Sequence, residues 1–177
     1  MAERTDVYFV DGVRTPFGRA GEKGMYWNTR ADDLVVKAMI GLLERNPDVP
    51  KDRVDDVAIA ATTQVGDQGL TLGRTAALLA GLPRSVPGFA IDRMCAGAMT
   101  SVTTLGSGIA FGAYDVAIAG GVEHMGRHPM GFNADPTRGS SPRSSSRATR
   151  STWARPPSAS TTGSRTSPRN APTGSGC

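Results

Sequence analysis

In the run Ile91-Asp92-Arg93-Met94-Cys95-Ala96-Gly97-Ala98-Met99, a cysteine stands where an apolar segment gives way to small residues. If the first part is a buried strand and the second opens a helix, the thiol sits on the joint between them. There it meets the unpaired N–H groups and the positive dipole end of the helix, a setting that favours a thiolate nucleophile. Ala96, Gly97 and Ala98 leave room for a substrate to approach the sulfur and for the helix to pack closely. The arrangement is that of a nucleophile elbow, though not in its GxSxG form. The bland alternative is a small buried side chain, the commoner state of a free cysteine.

Other chemistry-bearing residues carry less. His124 and His128 form an H-x3-H pair beside Glu123. Two histidines without a third well-spaced ligand make a poor zinc site, so no metal is expected. Gly66, Gly69 and Gly73 do not form GxGxxG and bring no Walker lysine, which argues against a nucleotide loop. Met94, Met99, Met125 and Met130 are expected to line core or a substrate channel rather than bind a cofactor.

The elements that must position Cys95 follow from periodicity. Val7–Val10 reads as a first strand, ending at the Asp11-Gly12 turn signal. Ala31–Asn46 has apolar residues at helical spacing, with Asp32 and Asp33 in its first turn and Arg45 in its last. Val57–Ala61 reads as a strand covered on both faces, Leu72–Leu82 as a second helix and Val86–Ile91 as a third strand. Cys95–Ala113 is then a third helix and Val116–Ala119 a fourth strand. This β-α alternation implies an α/β layered fold with a largely parallel sheet. Between Arg93 and Asp115 lie 21 uncharged residues, long enough to suggest a membrane span. Thr100, Ser101, Thr103, Thr104 and Ser107 make the stretch too polar for lipid, so a buried helix and no membrane partner are expected.

Composition divides the chain of 177 residues in two. Residues 1–137 hold all 16 acidic residues and 13 of the 20 basic ones, a net charge of −3. Residues 138–177 hold seven arginines and no acid, together with 11 serines and no Leu, Ile, Val, Phe, Met or Tyr. Such a tail cannot bury enough apolar surface to offset its ordering entropy, and it is expected to be disordered. Because the part that can fold is mildly acidic, a uniformly basic nucleic-acid-binding domain is excluded. The charged N-terminus, without a long apolar run, and the two unpaired cysteines, Cys95 and Cys177, lead to an expectation of a reducing, cytoplasmic setting.

Three segments carry a family resemblance. DVYFVDGVRTPFGR resembles the opening strand and loop of the thiolases, the acetyl-CoA acyltransferases. DRMCAGAMTSV is similar to the segment around their acyl-accepting cysteine, and DVAIAGGVEHM to their next strand with its Gly-Gly-x-Glu turn. These segments fall in the family's order over residues 6–131. The resemblance implies residues 1–137 as the N-terminal half of a thiolase-like layered αβαβα fold. It further implies thiolase-type acyl transfer between acyl-CoA and acetyl-CoA, with Cys95 as the catalytic nucleophile carrying the acyl group as a thioester. Coenzyme A thioesters would be substrates, with no separate cofactor, and a full-length protein would be a homodimer or homotetramer. Glu123 is expected to be structural. The family's second half supplies a His in a GHP context and a second Cys; this sequence has neither GHP nor CxGxG, and Cys177 is not assigned that role. On that basis the chain is expected to be inactive, with one side of its uncharged helix left without cover.

The tail supports one further expectation. If its serines use TCN codons, a shift of frame turns each into NTC, which encodes Phe, Leu, Ile or Val. The shifted reading from Gly139 to Cys177 permits an amphipathic, thiolase-like continuation, so residues from about 138 onward are read as a frameshift product. The reading from a different class is a non-catalytic nucleic-acid-binding protein whose Arg/Ser tail contacts phosphates. One aromatic, Trp153, and an acidic body count against it.

Overall fold

The computed structural model describes residues 6–130. The expected tail, its disorder and the change of reading frame at 138–177 all lie outside the described residues. Helix α1 spans Ala31–Arg45, strand β1 Asp56–Ala60, helix α2 Leu72–Leu79, strand β2 Phe89–Ile91, helix α3 Gly97–Phe111 and strand β3 Ala117–Gly121. The three strands form one parallel sheet in the order β2-β1-β3. This is the α/β fold expected from the sequence.

Strand β1 lies at the centre and all five of its residues are buried. Its period-two alternation sorts the two faces. Val57 and Ile59 join Val35 and Met39 of α1 and Leu72, Ala76 and Ala77 of α2 in one apolar core. Ala60 faces α3, and only a residue without a Cβ fits at Gly97, where an added one would lie 2.7 Å from the Ala60 side chain. Gly73 does the same on the other face: a Cβ there would lie 2.6 Å from the Val57 carbonyl oxygen and closer still to that of Phe89. Helix packing on this sheet is therefore close on both sides, which holds the strand ends in fixed relation.

Several boundaries differ from the sequence reading, and one element is absent. Val7–Val10 is extended but pairs with no strand among the described residues, and Tyr8, Phe9 and Val10 are more than three-quarters exposed. The cause is polar anchoring just beyond it. Asp11 accepts hydrogen bonds from Arg45 (3.0 Å) and Asn46 (2.9 Å) at the end of α1, and Tyr26 Oη donates to the Pro16 carbonyl (3.0 Å). These contacts hold the segment as a strap rather than along the free edge of β3. In the Val86–Ile91 run only Phe89–Ile91 pairs, since Pro87 can donate nothing to a ladder and Gly88 packs against α2.

The uncharged helix is covered on one side only: the fully buried helix expected from its composition is not seen, and the uncovered side expected from the family resemblance is. In α3, Gly97, Ser101 and Leu105 are buried, whereas Met99, Val102 and Phe111 are exposed. Met94–Phe111 is long and apolar enough to cross a membrane by length and composition alone. In the structure it serves as one layer against all three strands.

Candidate functional site

In an open parallel sheet, the loops beyond the carboxyl ends of the strands form the natural crevice for a ligand. Here three such ends converge. The chain after β1 contributes Thr62 and Thr63, the chain after β2 contributes Met94 and Cys95, and the chain after β3 contributes Glu123 and Met125. They surround a cavity of about 350 Å³ whose wall also includes Met130. Most of the remaining lining is alanine and valine. An apolar pocket with a few convergent polar groups is the form that small-molecule sites take.

Cys95 sits in a single 3-10 turn, Met94–Ala96, between the end of β2 and the first residue of α3. It is a free thiol, exposed in the crevice. The bland alternative of a buried thiol is thereby set aside. The turn is tight enough to force Met94 into the left-handed region, with φ 46°. A non-glycine residue held there costs about 1–3 kcal/mol and persists only where its surroundings impose it. Here they do: Ile91 is fixed in the sheet, and Gly97 is pressed against Ala60. The strain turns the chain within a few residues and leaves the cysteine at the N-terminal end of a 15-residue helix.

A polar network backs the crevice. Glu123 Oε2 accepts the Thr62 N–H (2.6 Å), and its Oε1 accepts from Gln68 Nε2 (3.0 Å). Gln68, with no exposed surface, also donates to the Thr63 carbonyl (2.8 Å) and accepts the His124 N–H (2.5 Å). Deeper in, Asp67 is buried, accepts from His128 Nε2 and from the Ala31 N–H (3.2 Å), and forms an ion pair with Arg127 Nε (3.2 Å). Burial alone would push the Asp67 carboxyl up. The hydrogen bonds from His128 and Ala31, with the nearby positive charges, bring it below its ordinary value instead.

The two histidines do not converge on a common point. His124 Nε2 meets the Tyr26 carbonyl (2.7 Å) while His128 meets Asp67, so the pair pins the 123–130 segment rather than holding an ion. Among the described residues no group of three His, Cys, Asp or Glu side chains could hold a metal. Gly66 abuts the His128 ring, and Gly73 lies within the first turn of α2, pressed against the carbonyls of Val57 and Phe89, so neither belongs to a phosphate loop. Of the four methionines, Met94, Met125 and Met130 line the cavity, and Met99 does not. Sequence reasoning missed Thr62, Asp67 and Gln68. They lie in a polar loop between strand and helix, and nothing in a single sequence distinguishes a buried glutamine from a solvated one.

The sequence profile described as "Thiolase, N-terminal domain" matches residues 7–153, a span that runs past residue 137 into the Ser/Arg-rich stretch. A 3-ketoacyl-CoA thiolase of Aliivibrio salmonicida is 41% identical over 130 residues, covering 73% of this chain and 33% of that protein. A beta-ketoadipyl-CoA thiolase of Pseudomonas putida is 44% identical over 125 residues, covering 71% of this chain and 31% of that protein. A third relative, the beta-ketoadipyl-CoA thiolase of Pseudomonas knackmussii, is 45% identical over 124 residues, 70% of this chain and 30% of its own length. The chain thus spans about a third of the length of the curated relatives it matches.

Proposed function

Because the chain belongs to the thiolase family, we propose that its crevice carries out the acyl-accepting half of a thiolase reaction, with Cys95 as the catalytic nucleophile. The Cys95 sulfur attacks the carbonyl carbon of an acyl-CoA, the carbon–sulfur bond to coenzyme A breaks, and coenzyme A leaves as the thiol with the proton that Cys95 gives up. The product is an acyl thioester on Cys95. Covalent catalysis of this kind divides one difficult transfer into two easier ones. The second transfer, to or from acetyl-CoA, would draw on a His and a second Cys of the kind the family resemblance places in its other half, so on this reading the 177-residue chain is inactive in the complete thiolase cycle and only the first transfer is open to it.

The observation that carries this reading is the exposed Cys95 on a strained 3-10 turn, facing a cavity lined by Met94, Met125 and Met130. Flexible thioether side chains suit an acyl group, because they adapt to its shape without demanding hydrogen bonds. Coenzyme A thioesters serve as substrates on this reading and no resident cofactor takes part. The protein works in the cytoplasm, and a full-length form associates as a homodimer or homotetramer. The test is a single-turnover experiment: acetyl-CoA mixed with a molar excess of the 177-residue chain should release free coenzyme A, followed chromatographically. Cys95→Ser should release none. Equal release from both proteins contradicts the assignment.

A further inference from the structure

The backbone ladder between β1 and β3 ends with the Val122 N–H donating to the Ala60 carbonyl (2.9 Å). Past that point the two chains separate around the Cys95 cavity, and side chains carry the connection. Glu123 reaches from one chain to the Thr62 N–H of the other, and Gln68 ties Glu123 and the His124 N–H to the Thr63 carbonyl. Each donor in this ring faces an acceptor. A carboxylate is needed at 123, because both of its oxygens receive N–H groups. An amide is needed at 68, because it must donate on one side and accept on the other. The wall formed by Thr62 and Thr63 stands against the same cavity as the thiol.

We propose that Glu123 and Gln68 are positioning residues for the acyl transfer: they form a brace that holds the Thr62–Thr63 wall in place across from Cys95. The brace acts through the main chain and not on the reacting atoms. It fixes the width of the crevice through which a bulky thioester must bring its carbonyl to the sulfur. A small reagent needs no such guidance. The inference rests on the acyl-CoA reading above.

The experiment compares two reagents with the same reactive group, bromoacetyl-CoA and bromoacetamide, on the full 177-residue chain. Modification of Cys95 is followed by peptide mass analysis, and a thermal transition reports folding. In Glu123→Gln one N–H of the new amide must face another donor. The bromoacetyl-CoA rate should fall about tenfold, since small misplacements of a bound reactant are costly, while the bromoacetamide rate stays within about twofold. The exchanged pair Gln68→Glu with Glu123→Gln matches the two side chains to each other but sets a carboxylate oxygen against the Thr63 carbonyl, so it should not recover the loss. Glu123→Asp, too short to span both partners, should behave like Glu123→Gln. If both variants leave the two rates unchanged, or alter them in the same proportion, the brace is overturned. If the unaltered chain shows no preference for bromoacetyl-CoA over bromoacetamide, the acyl-CoA reading falls first and the brace falls with it.

Discussion

Val7–Val10 and Val57–Ala60 both follow an aspartate and both consist of strand-forming or small apolar residues, yet they end in opposite environments. Val57 has no exposed surface and pairs with Ile118 of β3, while Ala58, Ile59 and Ala60 pair on both sides, with β2 and β3. Tyr8 and Phe9 are 77% and 84% exposed and pair with nothing among the described residues. Beneath the N-terminal strap lies a hollow of about 510 Å³, bounded by the apolar face of α1 and by β3. Intrinsic preference does not separate these runs. Neighbours do: β1 has helices on both faces and partners on both edges, whereas the strap is tied down by the polar contacts of Asp11 and Tyr26. Strand propensity is chiefly fitness for a half-buried surface, and it counts only where such a surface exists.

The contrast can be broken most forcefully by placing the same charge in both runs. Val57→Asp buries an unpaired carboxylate in the core and should cost more than about 4 kcal/mol, enough to abolish the cooperative urea transition. Tyr8→Asp should shift stability by no more than about 0.5 kcal/mol. A comparable loss from both would mean that the strap is part of the core in solution. Next in size is Gly73→Ala, which drives a methyl group into the carbonyls of Val57 and Phe89. A destabilisation of about 1–3 kcal/mol is expected from such overpacking, measured as a lower urea midpoint at unchanged slope.

Acid should distinguish the buried part of the crevice. The Asp67 carboxyl is held below its ordinary value, so its contribution is complete above the unfolded value of about 3.9 and is lost as pH falls through the lower folded value. Between about pH 5 and pH 2 the unaltered chain should lose stability more steeply than Asp67→Asn. Identical pH slopes would contradict the assignment. The smallest effect is expected at the elbow. Met94→Gly removes left-handed strain but loosens the unfolded chain, leaving a net gain on the order of 0.5 kcal/mol. A clear loss of stability would show that the Met94 side chain matters more than its backbone angle.

Most of the frame was legible because it rests on periodicity. Leu34, Val35 and Met39 mark the inner face of α1, and the unbroken apolar run of β1 announced a strand covered on both sides. Cys95 was legible from the change of residue type around it. What the sequence could not convey depends on distant partners. The strap needed knowledge of Asn46 and Arg45, more than thirty residues from Asp11. The brace joins Gln68 to Glu123, and each looks like an ordinary polar loop residue until β1 and β3 lie side by side. The exposed flank of α3 was anticipated from the family resemblance, whose second half would cover it, although the lack of charge by itself had suggested burial.

The central claim is that Cys95 accepts an acyl group, and the direct measurement is the site of attachment. The 177-residue chain incubated with acetyl-CoA and quenched in acid should yield an acetyl thioester on the peptide that contains Cys95, removable by neutral hydroxylamine. An adduct confined to Cys177, or none on folded protein whose Cys95 still reacts with bromoacetamide, would contradict the account.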